Sequence, residues 1–222
     1  MSESLVVAVD GPSGSGKSST ARGVADRLHL AYLDTGAMYR AMTWAMLQAD
    51  VDLHDPEAIA AAATRVHLES GVDPLDPTIH VDGVDVAEAI RGEDVTGAVS
   101  HVAAVPAVRE QLVELQRATI AGNGHRIVVE GRDIGSTVAP DADFKFFLVA
   151  DPAARAARRA AEDGSDDTVA TEQALARRDE IDSNRTASPL ARADDAVLID
   201  STHMTLAEVI DTLVDMVEKG QS

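Results

Sequence analysis

Lysine and serine follow a glycine-rich turn in the segment 11–18, whose letters are GPSGSGKS. The apolar run 5–9 before it predicts a strand, and a helix is expected to begin near Lys17. The main-chain N–H groups of such a turn cradle phosphate oxygens, the lysine reaches the β- and γ-phosphates, and the hydroxyl of Ser18 ligates Mg²⁺. The predicted site for a nucleoside triphosphate, with Ser18 as metal ligand, comprises Gly11, Pro12, Ser13, Gly14, Ser15, Gly16, Lys17, Ser18 and Ser19.

A second polar segment, 34–40 (DTGAMYR), follows the second predicted strand. It lies at the carboxyl end of that strand, where open α/β sheets bind ligands. Thr35 and Arg40 offer a hydroxyl and a guanidinium to a phosphate, and Tyr39 offers a ring that packs on a base. Taken alone, Arg40 is equally well an ordinary surface arginine.

Two further segments carry arginine and aspartate together. In 130–135 (EGRDIG), after the apolar run 127–129, Arg132 offers a fork for phosphate and Asp133 a fixed acceptor for an exocyclic amine. In 177–185 (RRDEIDSNR), the i, i+4, i+7 spacing places three charged residues on one helical face. Alone, such a pair is a solvated ion pair of little energetic worth. Following a P-loop and strand ends, the segments indicate a site that includes Arg178, Asp182 and Arg185.

Apolar runs alternate with helical patterns along the chain, which is typical of parallel strands covered on both faces. The sequence predicts one α/β domain over 1–222, with a five-stranded parallel sheet flanked by helices. Strands are expected at 5–10, 31–34, 127–129, 144–149 and 196–200. Helices are expected at 17–28, 35–49, 55–70, 100–121, from 152 and over 169–182, and a Thr205–Glu208 capping box opens the last helix.

Two parts of the chain break this pattern. Residues 72–97 are rich in Asp, Pro and Gly, and Asp82-Gly83 is a hairpin signal, so a β-rich insertion is expected within an acceptor-binding subdomain at 35–97. We expect this subdomain to join the sheet only at its ends. The polar loop 162–168 has little apolar surface to anchor it, and it predicts a short lid over 158–168.

Composition excludes several classes of protein. The net charge of −19 over 222 residues would repel a nucleic-acid backbone, and no stretch approaches the length of a membrane span. The absence of cysteine excludes disulfides and thiolate metal sites, and the seven histidines form no ligand cluster, so no structural metal is predicted. The acidic N-terminus does not resemble a signal peptide, so we expect a cytoplasmic protein, with no protein partner implied.

A P-loop alone fits GTPases, motor ATPases and small-molecule kinases. The chain has no Asn-Lys-x-Asp guanine reader, and its D-x-x-G match at 94–97 falls in the insertion. The arginine-rich segments favour a kinase acting on a small anionic acceptor. Alternatives are a kinase for another nucleoside monophosphate, shikimate or dephospho-coenzyme A, and a nucleotide-dependent binding module without transferase activity.

These motifs together resemble those of bacterial cytidylate kinases. The resemblance covers nearly the whole chain and is carried by the segments 11–19, 33–40, 100–110, 130–135, 177–185 and 188–190. It implies the P-loop NTPase fold, ATP and Mg²⁺ as phosphoryl donor and cofactor, and the small-molecule substrates CMP and dCMP. It implies direct in-line transfer that gives CDP and dCDP in pyrimidine nucleotide metabolism.

The resemblance also implies roles for individual residues. Lys17, Arg132, Arg158 and Arg178 would be catalytic, although it leaves open which of Arg155, Arg158 and Arg159 reaches the transferred phosphate. The acceptor phosphate would meet Thr35, Arg40 and Arg132, and Arg178 and Asp182 would lie on its sugar and phosphate side. The cytosine would be surrounded by Tyr39, Ser100, Arg109, Asp133 and Arg185. Ile181 stands where some relatives carry an arginine, so no phosphate contact is expected there.

Overall fold

The computed structural model describes residues 4–164, 166–184 and 190–221. Its larger sheet consists of five parallel strands in the order β2-β6-β1-β7-β8. They are β1 (Leu5–Asp10), β2 (Ala31–Asp34), β6 (Arg126–Gly131), β7 (Phe144–Val149) and β8 (Val197–Asp200). The predicted five-stranded parallel sheet is thus confirmed, and the P-loop leaves its central strand.

Helices cover both faces of this sheet, which is why every residue of its middle strand β1 is buried. They are α1 (Lys17–Arg27), α2 (Thr35–Gln48), α3 (Pro56–Ala63), α4 (Glu93–Ala103), α5 (Pro106–Gly122), α6 (Pro152–Asp163), α7 (Thr168–Asn184) and α8 (Leu206–Gly220). Alternate side chains of β1 enter opposite cores. Val6 and Ala8 pack with residues of α2 and α5, whereas Val7 and Val9 pack with residues of α1 and α8.

The inserted segment forms a small antiparallel sheet from β3 (Leu68–Ser70), β4 (Ile79–Val81) and β5 (Val84–Asp85). The hairpin at Asp82-Gly83 is confirmed, with both residues at positive φ (50° and 80°), as a tight primed turn requires. The expectation of a helix as far as Ser70 is wrong. Helix α3 ends at Ala63, and residues 68–70 pair with β4 instead, burying Leu68.

Two other expected elements have different bounds. The helix expected over 100–121 is two helices, because Pro106 lacks an N–H group and disfavours helical geometry at the residue before it. Helix α6 continues through Asp163 and α7 begins at Thr168, so most of the expected 158–168 lid is helical. Residue 165 lies outside the described part of the chain.

The insertion is attached to the sheet at more than its ends, contrary to the expectation. The N–H of Tyr32 on the edge strand β2 donates to the carbonyl of Val72 at 2.8 Å. The Arg22 Nε atom on α1 donates to the carbonyl of Pro74 at 2.9 Å. These bonds fix residues 72–74 against the core. Within the described residues, no helix is long and apolar enough to cross a bilayer.

The predicted capping box at the start of α8 is confirmed. The Glu208 N–H donates to Thr205 Oγ1 at 3.3 Å, and the Thr205 N–H donates to Glu208 Oε2 at 2.8 Å. Replacing Thr205 with Ala is expected to lower the melting temperature by about 2–4 °C, because an N–H group of the first turn loses its acceptor. Differential scanning calorimetry measures the shift.

Thr212→Ala on the same helix is the matched control. The Thr212 hydroxyl only donates back to the Glu208 carbonyl at 2.7 Å, and alanine is the better residue for a helix interior. We expect this control to hold or slightly raise the melting temperature. Equal losses in the two variants would contradict the capping role.

Candidate active site

One cavity opens at the carboxyl ends of β1, β2 and β6, and it brings together most of the predicted site residues. It lies between the P-loop, the starts of α1 and α2, the helix α4, the turn after β6, and the helices α6 and α7. The predicted residues in its lining are Ser13, Gly14, Gly16, Lys17, Ser18, Ser19, Thr35, Tyr39, Arg40, Ser100, Arg109, Arg132, Asp133, Arg178 and Asp182.

Four predicted residues are not in that lining: Gly11, Pro12 and Ser15 of the P-loop, and Arg158. Arg185 lies outside the described residues. The lining also contains two charged residues that sequence reasoning did not assign to the site, Asp34 and Glu130, and it contains Arg159, one of the three arginines among which the resemblance left the phosphate contact open. Asp34 is the last residue of β2 and Glu130 is the last but one of β6, and this position at a strand end is the signal that could have found them.

The P-loop conformation depends on glycine. Gly14 and Gly16 adopt left-handed φ angles of 72° and 88°, and α1 begins directly after Gly16. At Gly11 a Cβ atom would lie 2.1 Å from the Leu148 carbonyl oxygen on the neighbouring strand β7. The turn therefore directs main-chain N–H groups and a helix N-terminus toward the cavity, the arrangement that binds phosphate.

Lys17 lines the cavity among other charged groups. Burial, followed by the charge of Arg132, lowers the pKa of Lys17 to about 7, and Glu130 opposes this change. The Lys17 Nζ atom donates to the Pro12 carbonyl at 2.9 Å. Burial also raises the pKa of Glu130, whose Oε1 accepts the Tyr32 hydroxyl at 2.7 Å. The lysine is thus held where an added anion would favour its charged form.

Arg132 connects the P-loop to the helix α7. Its Nη1 donates to the Gly11 carbonyl at 2.6 Å, its Nη2 donates to Ser13 Oγ at 2.5 Å, and its Nε lies 3.0 Å from Asp182 Oδ2. Arg178 lies nearby on α7. Burial, with Arg132 as the next cause, lowers the pKa of Arg178 to about 9. The cavity therefore concentrates positive charge that an anion would relieve.

The start of α2 adds a hydroxyl and a guanidinium to the cavity lining. The Asp34 carboxylate caps this helix by accepting the Ala37 N–H at 2.7 Å, and it pairs with Arg40 Nη2 at 3.3 Å. The Thr35 hydroxyl donates to the Glu130 carbonyl at 2.7 Å. Asp34 therefore orients Arg40 along the cavity wall.

A buried polar group lies farther along the same cleft. Arg109 on α5 forms an ion pair with Asp133, and both side chains are almost fully buried. Arg109 Nη1 also donates to the Ala103 carbonyl at 3.3 Å, and the guanidinium lies 5.4 Å from the centre of the Tyr39 ring. Ser100 on α4 faces the same space. A flat ligand with its own hydrogen-bond donors and acceptors would satisfy the remaining hydrogen-bonding capacity of these side chains.

The three arginines of α6 have different surroundings. Arg155 Nη1 donates to the Ser13 carbonyl at 3.0 Å and pairs with Asp179, whose Oδ1 accepts the Ser13 N–H at 3.1 Å. Arg158 donates to Ser201, at 3.0 Å to its Oγ and 2.6 Å to its carbonyl, and its Nη1 also donates to the Ser15 carbonyl of the P-loop at 3.3 Å. Arg159 lines the cavity. Successive helical residues point about 100° apart, so neighbouring arginines face different parts of the protein.

The cavity contains oxygen atoms that could ligate the Mg²⁺ ion of a magnesium nucleotide. Ser18 and Glu130 supply hard oxygen atoms beside the P-loop. No group of three or more acidic or histidine side chains among the described residues could hold a metal ion. This composition fits Mg²⁺, which is commonly bound by one or two protein oxygens together with substrate phosphates.

Known proteins are similar to this chain over nearly its whole length. A family model described as cytidylate kinase matches residues 7–219. A cytidylate kinase of Streptomyces avermitilis is 56% identical over 98% of this chain and 94% of that protein. One of Rhodococcus jostii is 52% identical over 97% of this chain and 95% of that protein.

Among solved structures, an uncharacterized protein from Eubacterium ventriosum aligns with a TM-score of 0.52 at 11% identity, covering 96% of this chain and 98% of that one. A likeness at this identity concerns the fold alone. The match of the family model over nearly the full length, and relatives more than 50% identical, show that the chain belongs to the cytidylate kinase family.

Proposed function

We propose that this protein transfers the γ-phosphoryl group of ATP to the phosphate of CMP or dCMP and releases ADP with CDP or dCDP. The observation that carries the proposal is that one cleft joins a P-loop to the buried Arg109–Asp133 pair. The P-loop binds a phosphoryl donor, and the Arg109–Asp133 pair recognises a polar ring. The proposal places the enzyme in the cytoplasm and requires no protein, nucleic-acid or membrane partner.

The donor side consists of the P-loop and the start of α1. The N–H groups of the turn and Lys17 hold the β- and γ-phosphates, and the Ser18 hydroxyl holds Mg²⁺ beside Glu130. When bound, Mg²⁺ neutralises charge on the phosphate oxygens. Anion binding favours the charged form of Lys17, whose pKa is lowered to about 7 in the free protein.

The chemistry requires little beyond charge and alignment. The acceptor phosphate is already an anionic nucleophile, so no general base is needed. The obstacle is the mutual repulsion of two polyanions, which Lys17, Arg132 and Arg178 reduce while they hold the oxygen atoms in line. Arg132 hydrogen-bonds the P-loop and also lines the acceptor end of the cavity, so it is placed between donor and acceptor.

On the acceptor side, Thr35, Arg40 and Arg132 hold the phosphate, and Asp182 lies toward the sugar. Cytosine presents a 4-amino donor together with unprotonated N3 and O2 acceptors. Asp133 and Ser100 accept from the amine, Arg109 donates to the ring acceptors, and the Tyr39 ring packs on the base. Uracil would leave the buried polar groups unpaired, which is costly.

Closure of the site involves the acceptor subdomain at 35–97 and the segment 158–168, which would exclude water that competes for the γ-phosphate. Helix α6 packs against α7, and side chains from both hydrogen-bond Ser13. This supports the two helices moving together, with Arg159 completing the donor site when they close.

The first experiment is a coupled ADP-release assay with ATP and CMP, dCMP, UMP, AMP and dTMP as acceptors. We expect release that depends strictly on the acceptor and is fastest with CMP or dCMP. ADP release without an acceptor would support a nucleotide-dependent regulatory module. A preference for another acceptor would support a different small-molecule kinase.

Asp133→Asn is expected to lower the ratio of kcat/KM for CMP to that for UMP by about tenfold or more, with the KM for ATP unchanged. The amide replaces an oxygen that accepts from the cytosine amine with a group that can also donate to uracil. Steady-state kinetics with both acceptors measure the ratio. Asp195→Asn is the control, because the exposed Asp195 carboxylate pairs with Lys145 and neither residue lines the cavity. Equal loss with CMP and UMP would show that Asp133 does not read the base.

Arg159→Ala and Arg158→Ala separate the two adjacent arginines of α6. We expect Arg159→Ala to lower kcat by about 100-fold, because it removes positive charge from the cavity. Arg158→Ala is expected to lower the melting temperature, since Arg158 joins α6 to Ser201. We expect it to lower kcat less than Arg159→Ala does, because Arg158 is not in the cavity lining. Kinetics and calorimetry on both variants test this. The reverse pattern would return the catalytic role to Arg158, as the family resemblance first implied.

A further inference from the structure

Asp10 ends the central strand β1 immediately before the P-loop, and its side chain contacts the turn after β6 rather than lining the cavity. Its Oδ1 accepts the N–H of Ile134 at 2.8 Å, and its Oδ2 accepts the N–H of Gly135 at 2.8 Å. The residue is only 5% exposed. Each carboxylate oxygen therefore binds one of two successive main-chain N–H groups from a segment 124 residues away.

The segment held in this way carries acceptor-site residues. Arg132 and Asp133 directly precede Ile134, where a single wide helical turn (Ile134–Val138) begins. The Asp133 carbonyl accepts the N–H groups of Thr137 and Val138 at 2.9 and 3.3 Å, so the turn closes on itself. At Gly135 a Cβ atom would lie 3.1 Å from the Lys145 side chain and 3.5 Å from Asp10 Oδ2, which leaves little room for the turn to shift.

We infer that Asp10 is a positioning residue for the acceptor: through the N–H groups of Ile134 and Gly135, it fixes the turn that presents Arg132 and Asp133. The inference rests on the acceptor roles proposed above for those two residues. Asp10 itself is absent from the cavity lining, so its effect on a substrate is transmitted through the main chain.

The chemistry requires a carboxylate at this position. Both amides donate, so the side chain must accept with two oxygens, and an asparagine would place its own N–H group against one of the donors. Burial raises the pKa of Asp10 to about 6, although the two amides oppose it. The charges that face it are Asp133, which raises the pKa, and Lys17, which lowers it; the Lys145 stem lies across the turn. Asp10 is therefore mostly ionised at neutral pH.

Because the pKa of Asp10 is raised, its ionised side chain does not stabilise the folded protein, and stability therefore does not explain the presence of a carboxylate here. A carboxyl group with a pKa higher in the folded than in the unfolded protein disfavours folding once it is ionised. Its contribution to stability is therefore least favourable above pH 6 and improves as the pH falls through 6. Protonation, however, removes one of the two acceptors that hold the turn.

The first test is Asp10→Asn with Asp143→Asn as the matched control. Asp143 Oδ2 also accepts a main-chain N–H, that of Val6 at 2.8 Å, but at the opposite end of the same strand. We expect Asp10→Asn to raise the KM for CMP and to lower the ratio of kcat/KM for CMP to that for UMP, each by about tenfold, with the KM for ATP unchanged. The control should keep wild-type values for all three quantities.

Normal CMP kinetics in folded Asp10→Asn would overturn the inference. So would a loss of activity that is equal for CMP and UMP and matched in Asp143→Asn, because that pattern indicates general destabilisation. Failure of the proposed function is recognised separately, by wild-type protein that shows no CMP-dependent ADP release.

A second measurement uses the unaltered protein and so does not depend on whether the variant folds. Since the acceptor phosphate itself titrates near pH 6, the free enzyme is observed by ¹H–¹⁵N NMR between pH 7.5 and 5. We expect the amide protons of Ile134 and Gly135 to shift together with a midpoint near pH 6. In Asp133→Asn the midpoint should fall, because a neighbouring negative charge is removed. Amides that do not titrate together would overturn the inference.

Discussion

The structure depends on concentrating positive charge inside a protein whose net charge is −19. Lys17, Arg40, Arg132, Arg159 and Arg178 line one cavity, and they repel one another. Burial and this repulsion lower the pKa of Lys17 to about 7 and that of Arg178 to about 9. The free site is therefore electrostatically unfavourable, and two phosphate-bearing ligands relieve it. The repulsion among these cations raises the free energy of the ligand-free site, and the same concentration of positive charge suits the site to bring two polyanions together.

Carboxylates allow this cluster to exist without ligand. Asp34 pairs with Arg40, Asp182 with Arg132, and Asp179 with Arg155, so each acid orients a guanidinium as well as offsetting its charge. Asp34 caps the helix that carries Arg40, whereas Asp179 and Asp182 lie on α7 and pair with arginines of α6 and of the turn after β6. The P-loop is included in the network, because Ser13 is held through its N–H, carbonyl and hydroxyl by residues of α7, α6 and the turn after β6. The donor and acceptor halves are thus mechanically connected before any ligand arrives.

The parts of the fold and of the site that were predictable are those that consecutive residues encode. The P-loop, the segments 34–40 and 130–135, the hairpin at Asp82-Gly83 and the Thr205 capping box each depend on local geometry that a few neighbouring residues determine. The errors arose where distant partners decide. Residues 64–70 continue a helical composition, but pairing of Leu68 with Val81 draws them into a sheet. The attachment of the insertion through Arg22 and Tyr32 has no local signal at all.

By itself, the sequence determined the phosphate cradle, the parallel sheet and the motifs that resemble one enzyme family, because these follow from residue type, spacing and apolar periodicity. Only the tertiary structure decided which of the adjacent α6 arginines faces the cavity, since a 100° rotation per residue has meaning only once the helix is packed. It alone placed Glu130 near Lys17, where burial shifts the pKa of both groups. It also joined Asp10 to a turn 124 residues away. Such contacts depend on how strands and helices are stacked, and that stacking is a property of the whole chain.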